Sequence, residues 1–187
     1  MKSFQTTTLP NAALFGLYLA LSTFLWMLLT WVLNINVFSI GMSILNGLIN
    51  LGIVILFFWL SNKTLRDKYL DGSLTYGQGF INLLVTGIVS GIITLILTYI
   101  FYKFIAPDYL AKIGEKTMEM LQNNPNVPEN TMKEVEAKFA AMTPESTIIK
   151  TIPFSLGGTI VLSLIVSAFT KKKPDIFAAE NSTEEEN

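Results

Sequence analysis

The sequence predicts an all-α integral membrane protein: four spans, with a polar helical hairpin between the third and the fourth. Three observations carry this. The 187-residue chain is 51% hydrophobic and only 14% charged, whereas average soluble domains carry roughly 25% charge. The deficit is local, since no charged residue occurs between Lys2 and Lys63. Apolar runs long enough to cross a bilayer as helices, roughly 20 residues each, recur four times along the chain.

Composition also bounds function. The net charge of −1 gives no reason to expect a nucleic-acid partner. There is no Cys, which excludes disulfides, thiol catalysis and Cys-ligated metals. There is no His, which removes the commonest general base and metal ligand. No catalytic, cofactor or metal residues are assigned, and the chain is expected not to be an enzyme.

Residues 1–11 form a short polar lead. One basic residue precedes the apolar run, and no small-x-small site followed by polar sequence closes it. Both facts argue against a removable signal peptide. The first span is expected over 12–33, with Trp31 near its end at interface depth. Asn34, Ile35 and Asn36 make an uncharged turn into the second span, 37–60, which ends near Trp59. So short a link requires an antiparallel helical hairpin. Asn46 and Asn50 lie one turn apart within that span. Amides in hydrocarbon are costly unless bonded, so both should face another helix or a polar cavity. They can bind helices together or line a path for a solute.

Residues 61–76 are a polar, basic connection containing Lys63, Arg66 and Lys68, with a turn signal at Asp71-Gly72-Ser73. The following Gly77-Gln78-Gly79 lacks the strand, third glycine and Lys-Ser/Thr ending of phosphate loops. The third span, 77–104, carries Thr86, Ser90, Thr94 and Thr98 at every fourth position, with Gly87 and Gly91 beside them. This gives one small, hydroxyl-bearing flank suited to close helix packing and one aliphatic flank suited to lipid.

The insertion covers 105–147. Ala106-Pro107-Asp108 opens a helix, Asn123 to Pro128 breaks it, and a second helix follows from about Glu129 to Met142. Asp108 with Lys112 and Glu134 with Lys138 have i,i+4 spacing suited to ion pairs. Leu110, Ile113 and Phe139 belong to the apolar rows of this hairpin and are its candidate partner-binding residues. Glu115 and Glu119 could supply half a metal site, with no further marked ligands. Thr143-Pro144-Glu145 restarts a helix, as cap, first-turn proline and first-turn acid. The fourth span, 148–170, repeats the hydroxyl stripe at Thr151, Ser155, Thr159, Ser163 and Ser167. The two stripes predict that the third and fourth spans pack on each other. Pro153 and Gly157-Gly158 should loosen the fourth span. Residues 171–187 are expected to be a disordered tail, basic at first and acidic at the end.

Four spans put both termini on one side. The uncharged first turn and the cluster Lys171 to Lys173 predict that this side is cytoplasmic. Arg66, the run Asp71 to Phe80 and Ala106-Pro107-Asp108-Tyr109, in a four-span layout, resemble an uncharacterised bacterial membrane family, domain of unknown function 4199. The resemblance implies an integral membrane protein and supplies no activity; the chain is expected in the bacterial inner (cytoplasmic) membrane.

The sequence therefore predicts a non-enzymatic envelope accessory or partner-binding protein, with a small transporter or channel component for a neutral solute as the alternative. Its expected partners are the lipid bilayer and a membrane protein or second copy of itself. Residues for helix packing or a polar path are Asn46, Asn50, Thr86, Gly87, Ser90, Gly91, Thr94, Ser155, Thr159 and Ser163.

Overall fold

A computed structural model of the chain describes residues 4–35, 40–124 and 127–173. The helices are α1 Phe4–Val32, α2 Ile40–Tyr69, α3 Tyr76–Ile100, α4 Tyr109–Gln122, α5 Glu129–Ala140 and α6 Pro144–Thr170. A π-helical turn, Phe101–Ile105, continues α3. Four helices are long and apolar enough to cross a membrane: α1, α2, α3 with its π-turn, and α6.

The helices outrun the apolar stretches. The first begins at Phe4 rather than Ala12, with Pro10 inside it. Proline supplies no N–H, so the Thr6 carbonyl loses its intrahelical donor. The second continues through the basic connection to Tyr69, with Arg66 and Lys68 in its last turn. Straight-chain polar residues extend a helix readily, and cations suit its C-terminal end. At 1.5 Å per residue this helix is longer than a bilayer core of about 30 Å, so its basic end projects beyond the apolar stretch.

Local chemistry sets the ends. Asn34 takes φ 48°. The N–H groups of Asn34 and Ile35 donate to Trp31 O at 3.1 Å and Thr30 O at 3.0 Å. This pair of bonds closes α1 as a Schellman motif. The expected turn continues into Asn36, and the second span's first residues, 37–39, also lie outside the described residues. Thr75 caps α3 in a reciprocal box with Gln78, and Thr143 caps α6 with Ser146, Pro144 filling the first turn.

The third helix is the centre of the bundle. It packs most extensively on α1 and then on α6, whereas α2 lies chiefly on α1. Two glycines set the close approaches. A Cβ on Gly16 would stand 2.9 Å from the Thr86 carbonyl oxygen and from Val89 Cβ, and one on Gly87 would strike the Thr159 methyl. Small residues permit such backbone proximity where lipid offers no hydrophobic drive. Leu19, Phe58, Leu83 and Val166 form the apolar core between the helices.

The two hydroxyl stripes meet over only part of their length. Ser163, Val166, Ser167 and Thr170 of α6 are buried, but Thr151 and Ser155 are exposed and Phe154 is 88% exposed. A Cβ on Gly91, Gly157 or Gly158 would meet nothing within 4 Å. The half of α6 nearest the hairpin therefore stands away from the bundle.

Helices α4 and α5 pack mainly on each other. Gly114 lies against Phe139, where an added Cβ would be 3.2 Å from Phe139 Cγ. Leu110 is buried, and Ile113 and Phe139 are half-buried. Among the described residues the i,i+4 ion pair in the hairpin is Glu129–Lys133 at 2.8 Å, in place of the Asp108–Lys112 and Glu134–Lys138 pairs expected. Residues 171–173 do not begin a disordered tail. Lys172 pairs with Leu74 in an antiparallel bridge, with N–H to O distances of 2.8 and 2.9 Å. The expected disorder of 174–187 lies outside the described residues.

Candidate functional site

Two polar regions occupy the interior. The first lies where α1 and α3 begin and α2 and α6 end. Asn82 Nδ2 donates to Ser61 Oγ and to Asn62 Oδ1, both at 2.9 Å. Asn11 Nδ2 reaches Asn82 Oδ1 at 3.1 Å and the Ser61 carbonyl at 3.1 Å. Asn62 Nδ2 donates to Thr170 Oγ1 at 2.8 Å. Thr86 Oγ1 stands 3.2 Å from Ser61 Oγ and donates to the Asn82 carbonyl at 2.8 Å. All six of these residues are buried, so one neutral network joins the four spans. A Cβ on Gly79 would lie 2.9 Å from Asn62 Nδ2; glycine there leaves room for the amide. Each amide is held by several partners, and the arrangement fixes helix register and orientation.

The second region is a cavity of about 500 Å³ in the half of the bundle nearer the hairpin. Its walls include Thr23, Asn50, Ser90, Gly91, Thr94 and Thr159, with apolar groups such as Leu19, Val54, Phe58 and Leu162 between them. A smaller hollow of about 260 Å³ shares Thr23, Asn50, Thr94 and Thr98 with it and adds Trp26, Asn46 and Tyr109. Among the described residues no Asp, Glu, Lys or Arg lines either one.

The wall hydroxyls divide into two kinds. Thr23, Thr151 and Ser155 donate to carbonyls of their own helices at 2.8 to 3.1 Å, a local bond that satisfies them without a neighbour. Ser90, Thr94, Thr98 and Thr159 make no hydrogen bond among the described residues. Ser90 is only 6% exposed. Its Oγ keeps some exposure and has no partner among the described residues, and the residue lies on the cavity wall. Ser163 and Ser167 differ in having fully buried hydroxyl oxygens without a partner among the described residues, and they lie away from that wall.

The candidate residues from the sequence fall into three places. Asn50, Gly87, Ser90, Gly91, Thr94, Ser155 and Thr159 come together around the larger cavity. Asn46 lines the smaller one; it accepts a bond from Trp26 Nε1 at 2.7 Å, and Asn50 Nδ2 donates to its carbonyl at 2.8 Å. Thr86 and Ser163 are buried in the terminal half of the bundle. In the hairpin, Leu110 is buried, Ile113 and Phe139 are half-buried with Phe139 against Gly114, and Glu115 and Glu119 are exposed; among the described residues no group of three or more carboxylates gathers.

At the hairpin end Phe101 is fully buried, ringed by Trp31, Tyr102 and Tyr109 at centroid distances of 5.3 to 5.7 Å. The Ala106 N–H donates to the Phe101 carbonyl at 2.8 Å, and this wider turn seats the ring. Burial raises the pKa of the Tyr109 phenol. Across the cavity rim, Lys103 pairs with Glu145 at 3.8 Å, both exposed, which holds the rim only weakly.

Asn11, Ser61, Asn62, Asn82 and Thr170 were not singled out by the sequence reading. Each stands near the end of a hydrophobic run, where an amide or hydroxyl passes for interface polarity.

These features define a helical membrane protein of four spans, with a self-satisfied polar layer at the terminal end and an open, hydroxyl-walled cavity toward the other. The chain belongs to the family described as protein of unknown function (DUF4199), whose model matches residues 14–172. No curated protein and no solved structure matches it.

Proposed function

We propose that this chain is a non-enzymatic membrane protein that admits a small neutral molecule among its spans, as a transporter or channel component would. The observation that carries this reading is Ser90, a residue only 6% exposed whose hydroxyl is unpartnered among the described residues on the wall of a 500 Å³ cavity. A molecule in the cavity that supplies an acceptor to this O–H gains a bond worth about 1 kcal/mol. The uncharged walls disfavour ions, which need partners in a low dielectric.

The absence of Cys makes the test direct. Ser90→Cys and Thr94→Cys each introduce a single thiol on the wall, and Ser163→Cys places one in the packed half. Neutral methyl methanethiosulfonate should modify the first two in folded protein and spare the third. Failure to modify either wall thiol would remove the reading.

A second reading keeps the envelope accessory role. It is supported by the hairpin, whose two helices pack mainly on each other and expose Met120. Photocrosslinkers at exposed hairpin positions in native membranes test it, with a specific membrane-protein adduct expected. Both readings place the chain in a bacterial cytoplasmic membrane with its termini inside. Support comes from the cations Lys63, Arg66 and Lys68 on the projecting end of α2 and from Lys171 to Lys173 beside them.

A further inference from the structure

We infer that the guest of the cavity is a neutral, ester-bearing membrane lipid of the diacylglycerol kind, entering sideways from the bilayer along α6. This rests on the neutral-guest reading above and names its substrate class.

The first argument is access. Phe154, Ser155 and Gly158 both line the cavity and are exposed on the bundle surface. That stretch lies within a span, so the opening faces acyl chains. A water-soluble guest would have to leave water to use it; an amphiphile already resides there. The second is charge. Among the described residues the walls hold no ionisable group other than the Tyr102 phenol, so a phosphate head would find no cation there.

The third is hydrogen-bond sense. Ser90, Thr94, Thr98 and Thr159 have O–H groups with no acceptor among the described residues, while neighbouring hydroxyls are spent on their own helices. A guest rich in acceptors suits them, and a diacylglycerol brings two ester carbonyls against one hydroxyl donor. The fourth is depth. Thr98 stands seven residues before Ile105, about 10 Å along the helix from the end of the span. Thr94 and Ser90 follow one and two turns deeper. The series leads from ester depth into the bundle, and a lipid without a charged head can descend it. The apolar groups Leu19, Val54, Phe58 and Leu162 then receive the first methylenes, and the remaining chains stay in the bilayer through the opening.

The test uses the full chain in phosphatidylcholine nanodiscs with a diacylglycerol carrying a diazirine near its glycerol. Labelled residues are mapped by mass spectrometry. Wall residues of α3 and α6 should be labelled, and the labelling should be displaced by unlabelled dioleoylglycerol but not by glycerol or phosphatidylglycerol. Ser90→Ala should weaken displacement about fivefold, as loss of one hydrogen bond to the guest requires. It should leave thermal stability unchanged, because that hydroxyl bonds nothing among the described residues. Labelling confined to the lipid-facing residues Ile88, Ile92 and Ile96 overturns the inference. Displacement by glycerol as effective as by dioleoylglycerol also overturns it while sparing the neutral-guest reading. No wall labelling, together with an unreactive thiol in Ser90→Cys, defeats both.

Discussion

Replacing Asn82 with leucine should destabilise this protein more than any comparable amide deletion in its spans. The side chain is fully buried and takes part in three inter-helix bonds: to Ser61 at 2.9 Å, to Asn62 at 2.9 Å and from Asn11 at 3.1 Å. Polar bonds between membrane helices average about 0.6 kcal/mol, with a maximum near 1.7. Losing three costs about 2 kcal/mol on the average value. Stranding the Asn62 carbonyl oxygen adds about 1 to 2 kcal/mol. Asn46→Leu is the control. It removes one inter-helix bond, from Trp26, and should cost about 1 kcal/mol or less. Reversible unfolding in mixed micelles, followed by circular dichroism, gives both values. If Asn82→Leu proves no more destabilising than Asn46→Leu, the reasoning fails. A double cycle with Asn11→Leu should show positive coupling, since the two amides touch.

Two further predictions concern backbone packing. Gly16→Ala should cost about 1 to 3 kcal/mol, because the added methyl meets the Thr86 carbonyl and Val89. Gly91→Ala, facing open space, should instead raise stability by up to about 1 kcal/mol through helix propensity; thermal unfolding in detergent checks the opposite signs. Lys172→Pro removes the N–H that donates to Leu74 O and should cost about 1 kcal/mol, whereas Lys172→Ala leaves that bond intact and should unfold with the native protein.

The spans were legible because each needs only a long apolar run, and the Thr143 cap because its signal is local. The α3 stripe was legible through its period, but the period could not tell which part of the stripe would find a neighbour. Ser90 and Thr159 lie on one cavity, whereas Thr86 and Ser163 lie in the packed half, yet all four occupy the same kind of position along their helices. What separates them is the lean of α6, a property of the whole bundle. Asn11, Asn62 and Asn82 share no sequence spacing at all. They meet because antiparallel helices bring the start of one beside the end of another. Asn11 and Asn62 sit in segments that read as polar flanks until the helices are seen to run through them.

The polar layer also has an order in time. Asn11, Ser61, Asn82 and Thr86 all belong to the first three spans, so their mutual bonds can form while the ribosome is still making the hairpin. Asn62 Nδ2 donates to Thr170, at the far end of the last span. An intermediate of three spans carries that amide without its α6 partner, and arrival of the fourth span supplies it. The Leu74–Lys172 bridge then closes immediately after Thr170. Arrival of the fourth span and completion of the layer thus coincide, and a quality-control protease that reads exposed amides in the membrane would distinguish a three-span from a four-span bundle at Asn62.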